Sequence, residues 1–184
     1  MASRILTVPN QLTFLRLGFL PFFLISIYYG RYGWAIGLLV AAALTDALDG
    51  LLARRLNQKT ELGAYLDPIA DKLILSSSFF LLALKDKIDW WLAILVLSRD
   101  FLILTTAAVI LIVTGHRAFP PSLFGKATTF TQIVLVVLII ASAAFESNWL
   151  DYGSTALIYL VAAFTVISGV HYSVVIARRL SSSS

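Results

Sequence analysis

Six stretches of this chain are apolar over about the length that a helix needs to cross a bilayer, roughly 20 residues. They run over Leu12–Tyr29, Trp34–Ala53, Asp67–Leu84, Trp90–Thr114, Lys126–Phe145 and Thr155–Ala177, with a few polar residues inside them. In lipid, a single segment can satisfy all its backbone hydrogen bonds only as a helix. Short polar or Gly/Pro segments punctuate the pattern at Gly30–Gly33, Asn57–Gly63, Lys85–Asp89, Pro120–Ser122 and Asn148–Ser154. Trp34, Trp90, Trp91 and Trp149 fall at span ends, where an aromatic belt belongs. The reading is an all-α, polytopic membrane protein with six transmembrane helices in one domain over residues 1–180. The serine run of residues 181–184 reads as a disordered tail.

Composition narrows the function. Hydrophobic residues make up 59% of the chain and charged residues 13%, against about 45–50% and about 25% in soluble domains. With no cysteine, disulfides, zinc–thiolate sites and cysteine nucleophiles are excluded; two histidines speak against histidine metal clusters. The apolar run after Pro9 outlasts a signal-peptide core and lacks a small-residue cleavage site, so it reads as a first span. The net charge of +4 is assigned to loops facing anionic lipid rather than to nucleic acid. Arg4, Arg54, Arg55, Lys59, Arg117, Lys126, Arg178 and Arg179 fall on one side, and only Arg31, Lys85 and Lys87 on the other. The positive-inside rule then places the first side and both termini in the cytoplasm, as expected for a bacterial inner-membrane protein.

Four of the ten carboxylates lie at one end of the second and third spans: Asp46, Asp49, Asp67 and Asp71. A charge deep in a membrane helix costs about 2.5–3.5 kcal/mol on insertion scales, so four acids there need positive partners. Asp46 and Asp49 are three apart and Asp67 and Asp71 four apart, so each pair shares a helix face. The short connection suggests that the two helices are antiparallel neighbours whose pairs converge. Four hard oxygen donors suit two divalent ions, Mg²⁺ or Mn²⁺. Gly50, Ala53 and Gly63 leave room for a bulky ligand beside them, and Arg54 offers a fork-shaped phosphate donor. Together these features suggest phosphoryl chemistry. The structural alternative is that the acids cap helices or pair with Arg54, Arg55 and Lys72, with Asp67–Pro68 as a helix start.

The stretch from Asp46 to Asp71, with Asp46, Asp49, Gly50, Ala53, Arg54, Gly63, Asp67 and Asp71 at fixed spacing, resembles the signature of the CDP-alcohol phosphatidyltransferases. All eight positions match. The resemblance implies a six-helix membrane core, homodimers and a CDP-diacylglycerol substrate. It implies one metal ion on Asp46, Asp49 and Asp67, and a second on Asp46, Asp67 and Asp71. It also implies that Asp71 is the general base, and that Gly50, Ala53, Arg54 and Gly63 shape the site of the CDP-lipid. Pro9-Asn10-x-x-Thr13-x-x-Arg16 resembles the opening of the phosphatidylglycerophosphate synthase and cardiolipin synthase branches, which would put Asn10 and Thr13 on the nucleotide; a helix-entry cap is the alternative for both. Pro121-Ser122-x-x-Gly125-Lys126-x-x-Thr129-x-x-Gln132 resembles a further stretch of these branches.

Acceptors with a phosphate would need cations such as Arg16, Arg99, Arg117 and Lys126. Arg99 has a structural alternative, neutralisation by Asp100, and Lys126 another, anchoring its helix end. The favoured acceptor is glycerol 3-phosphate, ahead of phosphatidylglycerol; inositol phosphate and serine rank lower. Two other classes compete. A membrane prenyltransferase also uses paired aspartate motifs, but needs more helices and wider spacing. A cation transporter would explain intramembrane acids, but not the interleaved Gly50, Ala53, Arg54 and Gly63. His171 is expected to pack between helices, and Gly33 and Gly37 to let helices approach.

Overall fold

The computed structural model describes the backbone of residues 8–55, 61–114 and 123–182, and the side chains of 14–45, 70–106, 125–147 and 149–174. The described backbone forms six helices and no strand. They are α1 (Val8–Tyr28), α2 (Tyr32–Arg55), α3 (Glu61–Leu84), α4 (Trp90–Thr114), α5 (Leu123–Phe145) and α6 (Asn148–Ser182). With 21 to 25 residues, the first five are about 32–38 Å long, enough for a bilayer core of about 30 Å. α6, with 35 residues, outlasts it and carries Arg178 and Arg179 near its end.

Each expected span lies in one of these helices, and two segments read as loops are helical. α3 starts at Glu61, so Glu61, Leu62 and Gly63 are its first turn and Asp67 is no cap. α6 starts at Asn148, where Asp151 in the first turn complements the positive end of the helix dipole and accepts a hydrogen bond from Ser142 of α5. Among the described residues, Gly125–Phe145 and Trp149–Val174 are long and apolar enough to cross a membrane; Phe14–Tyr28 and Tyr32–Thr45 are shorter apolar helices. α3 and α4 carry Asp71, Lys72, Arg99 and Asp100 in their described stretches, which lowers their hydropathy.

Packing follows from apolar residues on every face. Phe23, Ile27, Phe79, Leu82, Leu92, Val96, Leu135, Ile140 and Val161 form the buried core. Phe22, Trp34, Phe101, Phe130, Trp149 and Tyr159 stand exposed on the outside, the pattern of a surface that meets lipid. The chain is a membrane protein on this evidence and on the family described below. Hydroxyls inside spans bond back to the preceding turn, as Ser98 Oγ does to the Ile94 carbonyl at 2.6 Å and Thr165 Oγ1 to the Val161 carbonyl at 2.7 Å. α1 packs on α2 and α3, α5 on α2, α3 and α6, and α4 on α3 and α6. α1 and α5 each pack on both α2 and α3, and the motif ends where those two helices are expected to pair lie outside the described side chains.

The turns on the far side from Asp71 are closed by helix-capping hydrogen bonds. Arg31 N donates to the Ser26 carbonyl at 2.7 Å and Gly30 N to the Ile27 carbonyl at 3.0 Å. Lys87 N to Leu82 and Asp86 N to Ala83 repeat this Schellman pattern at the end of α3. The pattern needs a left-handed residue, Gly30 at φ 70° and Asp86 at φ 53°. Two of the three cations on this side lie over tyrosine rings: Lys85 is 5.0 Å from the Tyr28 centroid and Lys87 is 5.5 Å from that of Tyr32. Gly33 and Gly37 mark no contact between described helices of this chain, since a methyl group on either would meet nothing within 4 Å. His171 lies at an exposed position of α6.

Two glycine substitutions therefore have opposite expected signs. Gly30→Ala meets open space but must keep φ 70°, and should lower stability by about 1 kcal/mol. Gly37→Ala, equally open but inside a regular helix, should raise it by up to about 1 kcal/mol. Thermal unfolding in one detergent, followed by circular dichroism, measures both.

Candidate active site

The spacing of the acidic motif survives as geometry on two helices. Asp46, Asp49, Gly50, Ala53 and Arg54 lie on the last turns of α2, and Gly63, Asp67 and Asp71 on the first three turns of α3. Asn10 and Thr13 lie on α1 at its third and sixth residues, past the position of an entry cap. The side chains of Asn10, Thr13, Asp46, Asp49, Gly50, Ala53, Arg54, Gly63 and Asp67 are outside the described set. So is all of Arg117, with Pro121 and Ser122. Among the described residues no three acidic or histidine side chains gather, because three of the four aspartates fall outside them.

Asp71 is described, and it meets Arg16. Nη1 of Arg16 lies 2.9 Å from Oδ1 of Asp71, joining α1 to α3 across 55 residues of sequence. Arg16 is 2% exposed, whereas the Asp71 side chain is 55% exposed. A guanidinium buried among apolar helices needs a carboxylate partner, and Asp71 supplies one while facing outward. The contact fixes the carboxylate's orientation by a charge-assisted hydrogen bond.

One residue later, Lys72 turns to α4. Its Nζ lies 2.5 Å from Oδ1 of Asp100, with Lys72 19% exposed and Asp100 buried. Nη1 of Arg99 reaches the same oxygen at 2.8 Å, and Nη2 of Arg99 donates to Oγ of Ser168 on α6 at 2.7 Å. The cluster ties α3, α4 and α6 together. The neutralisation of Arg99 by Asp100 is thus present in the fold. Lys126 is exposed near the start of α5. Gln132, fully buried on α5, has no hydrogen-bond partner for either amide atom among the described residues.

Sequence reasoning gave Lys72 only as a possible counter-charge for the motif acids and did not single out Ser168. The available signal was adjacency, since Lys72 follows Asp71 directly; nothing in sequence pairs Ser168 with Arg99, 69 residues away. Away from this end, an open cleft beside the α1–α2 turn is lined by Arg31, Tyr32 and Glu146 and holds no motif residue.

The donor set fits hard divalent cations. Four carboxylates on two helices offer oxygen ligands only, and Asp71 is open enough to reach a ligand. Arg54 follows Ala53 on the last turn of α2.

Residues 6–170 match the family model of the CDP-alcohol phosphatidyltransferases. A probable phosphatidylglycerophosphate synthase of Mycobacterium tuberculosis is 35% identical over 186 residues, which cover 97% of this chain and 84% of that protein. The CDP-diacylglycerol–glycerol-3-phosphate 3-phosphatidyltransferase of Bacillus subtilis is 32% identical over 182 residues, covering 90% and 92%. A putative cardiolipin synthase of Mycobacterium bovis is 37% identical over 133 residues, covering 72% and 63%. With six helices, an intact aspartate motif on two of them and a family match over nearly its whole length, the chain belongs to the CDP-alcohol phosphatidyltransferase family of membrane enzymes.

Proposed function

We propose that this enzyme transfers the phosphatidyl group of CDP-diacylglycerol to glycerol 3-phosphate, releasing CMP. The observation that carries the choice of acceptor is coverage. The relatives named for glycerol 3-phosphate and phosphatidylglycerophosphate align over 90% or more of this chain, and those named cardiolipin synthase over less, 80% for that of Streptomyces coelicolor and 72% for that of Mycobacterium bovis. Phosphatidylglycerol, giving cardiolipin, is the second reading, since the Mycobacterium bovis relative is 37% identical where it aligns.

In this reading Asp46, Asp49, Asp67 and Asp71 hold two divalent ions, Mg²⁺ or Mn²⁺. When bound, the ions neutralise charge on the diphosphate of the CDP-lipid. Asn10, Thr13, Gly50, Ala53, Arg54 and Gly63 bind and shape that substrate's head. Asp71 takes the proton of the acceptor hydroxyl. The hydroxyl oxygen forms a bond to the phosphorus that carries diacylglycerol, the bond from that phosphorus to the bridging oxygen breaks, and CMP leaves with the electron pair. The acceptor's phosphate is met by cations from Arg16, Arg99, Arg117 and Lys126. In this reading Arg16, paired with Asp71, holds the base in position. The site faces the cytoplasm of a bacterial inner membrane, the chain forms one domain over residues 1–180, and the enzyme works as a homodimer among membrane lipids.

The test is CMP release from CDP-diacylglycerol by purified protein, with glycerol 3-phosphate, phosphatidylglycerol, inositol phosphate or serine in parallel. Turnover with glycerol 3-phosphate alone is expected; turnover with phosphatidylglycerol alone gives the second reading, and none with any acceptor removes both. Stripping divalent ions with a chelator should abolish release, and Mg²⁺ or Mn²⁺ should restore it. Asp71→Asn should lower kcat by about 10²- to 10⁴-fold; unchanged turnover would take the base role from Asp71.

A further inference from the structure

The cluster of Lys72, Arg99, Asp100 and Ser168 leaves two buried polar atoms unanswered. Oδ1 of Asp100 accepts from both Lys72 and Arg99, at 2.5 and 2.8 Å. Its Oδ2 and the Nε of Arg99 have no hydrogen-bond partner among the described residues. An unmet carboxylate oxygen in a buried site is expensive to leave so. Oδ2 can only accept and Nε–H can only donate. The site therefore calls for a ligand that donates a hydroxyl and also presents a negatively charged or strongly accepting oxygen. A bare anion fails the first demand, because Oδ2 repels it. A neutral alcohol makes poor use of Lys72, whose ammonium has three donors. Lys72 is the cluster's most exposed cation and follows the half-exposed Asp71 directly. The cluster thus borders the residue assigned to the attacking hydroxyl.

We propose that Asp100 is a specificity-determining residue, accepting through Oδ2 the non-reacting middle hydroxyl of a phosphoglycerol acceptor while Lys72 and Arg99 Nε face its phosphate. The proposal rests on the acceptor reading above. It uses chemistry that free glycerol 3-phosphate and the head of phosphatidylglycerol share: two hydroxyls on neighbouring carbons and a phosphate.

The experiment compares acceptors that differ by that hydroxyl alone. Glycerol 3-phosphate is set against 3-hydroxypropyl phosphate, and phosphatidylglycerol against its 3-hydroxypropyl analogue, each with CDP-diacylglycerol and divalent ions. The wild-type enzyme should prefer the diol by about 10- to 100-fold in kcat/KM, and the pair that shows the preference identifies the source of the acceptor. Equal use of diol and analogue overturns the proposal while leaving the acceptor reading intact, and is the result expected if water satisfies Oδ2. No turnover with either diol overturns both. In Asp100→Asn the preference should fall below about threefold, because a charged acceptor becomes a neutral one. A loss of rate that falls equally on diol and analogue would mark Asp100 as a strut between helices and overturn the assignment. If Asp100→Asn does not fold, the wild-type comparison still decides.

Discussion

Charge inside a low-dielectric bundle is the constraint on which the rest of this structure depends. Arg31, Lys85 and Lys87 lie at the helix ends, but Arg16, Lys72 and Arg99 lie within α1, α3 and α4. A cation held there without a partner costs several kcal/mol. Each finds a carboxylate: Arg16 takes Asp71, and Lys72 and Arg99 share Asp100. These contacts run between α1 and α3 and between α3 and α4, and Arg99 extends the chain to α6 through Ser168. Apolar packing alone would allow many rotations of six greasy helices, because lipid is as apolar as the core. Ion pairs permit far fewer. They act here as registration devices, a role better attested for buried charge than net stabilisation.

The two ends of the bundle differ accordingly. The turns beside Gly30 and Asp86 are closed by backbone hydrogen bonds and by lysines over tyrosines, interactions that hold loops but offer no ligand chemistry. The motif end carries carboxylates, small residues and arginine. A phosphoryl-transfer enzyme whose donor is a lipid needs this division: reactive groups where headgroup and water meet, and inert closure on the other side.

Much of the fold was legible in the sequence because hydrophobic length is a strong signal in a membrane protein. All six helices follow from it. The misses are local and have local causes. Residues 61–63 and 148–154 read as polar punctuation, yet they are helix starts in which Glu61 or Asp151 suits the positive end of the dipole. Gly33 and Gly37 read as a contact stripe, but they face open space. The motif was legible as spacing, since i, i+3 and i, i+4 fix a shared face on any helix. Its surroundings were not. That Arg16 meets Asp71, or that Arg99 meets Ser168, depends on how helices far apart in sequence pack, and no local pattern encodes it. Arg99 and Asp100 could be paired from adjacency; the arrival of Lys72 at the same oxygen could not.

The consequence for the site lies in the rotation of α3. Asp71 and Lys72 are consecutive, so their side chains leave the helix about 100° apart. One is drawn to Arg16 on α1, the other to Asp100 on α4. Two restraints in different directions fix both the rotation and the height of α3, where one would leave it free to roll. Asp67 stands one turn before Asp71 on the backbone of the same helix. A functional constellation needs its side chains held to within about half an ångström by supporting contacts. In this chain Arg16 orients Asp71, while Lys72 and Asp100 hold the next position of α3, so three residues outside the signature restrain the helix that carries its last acid.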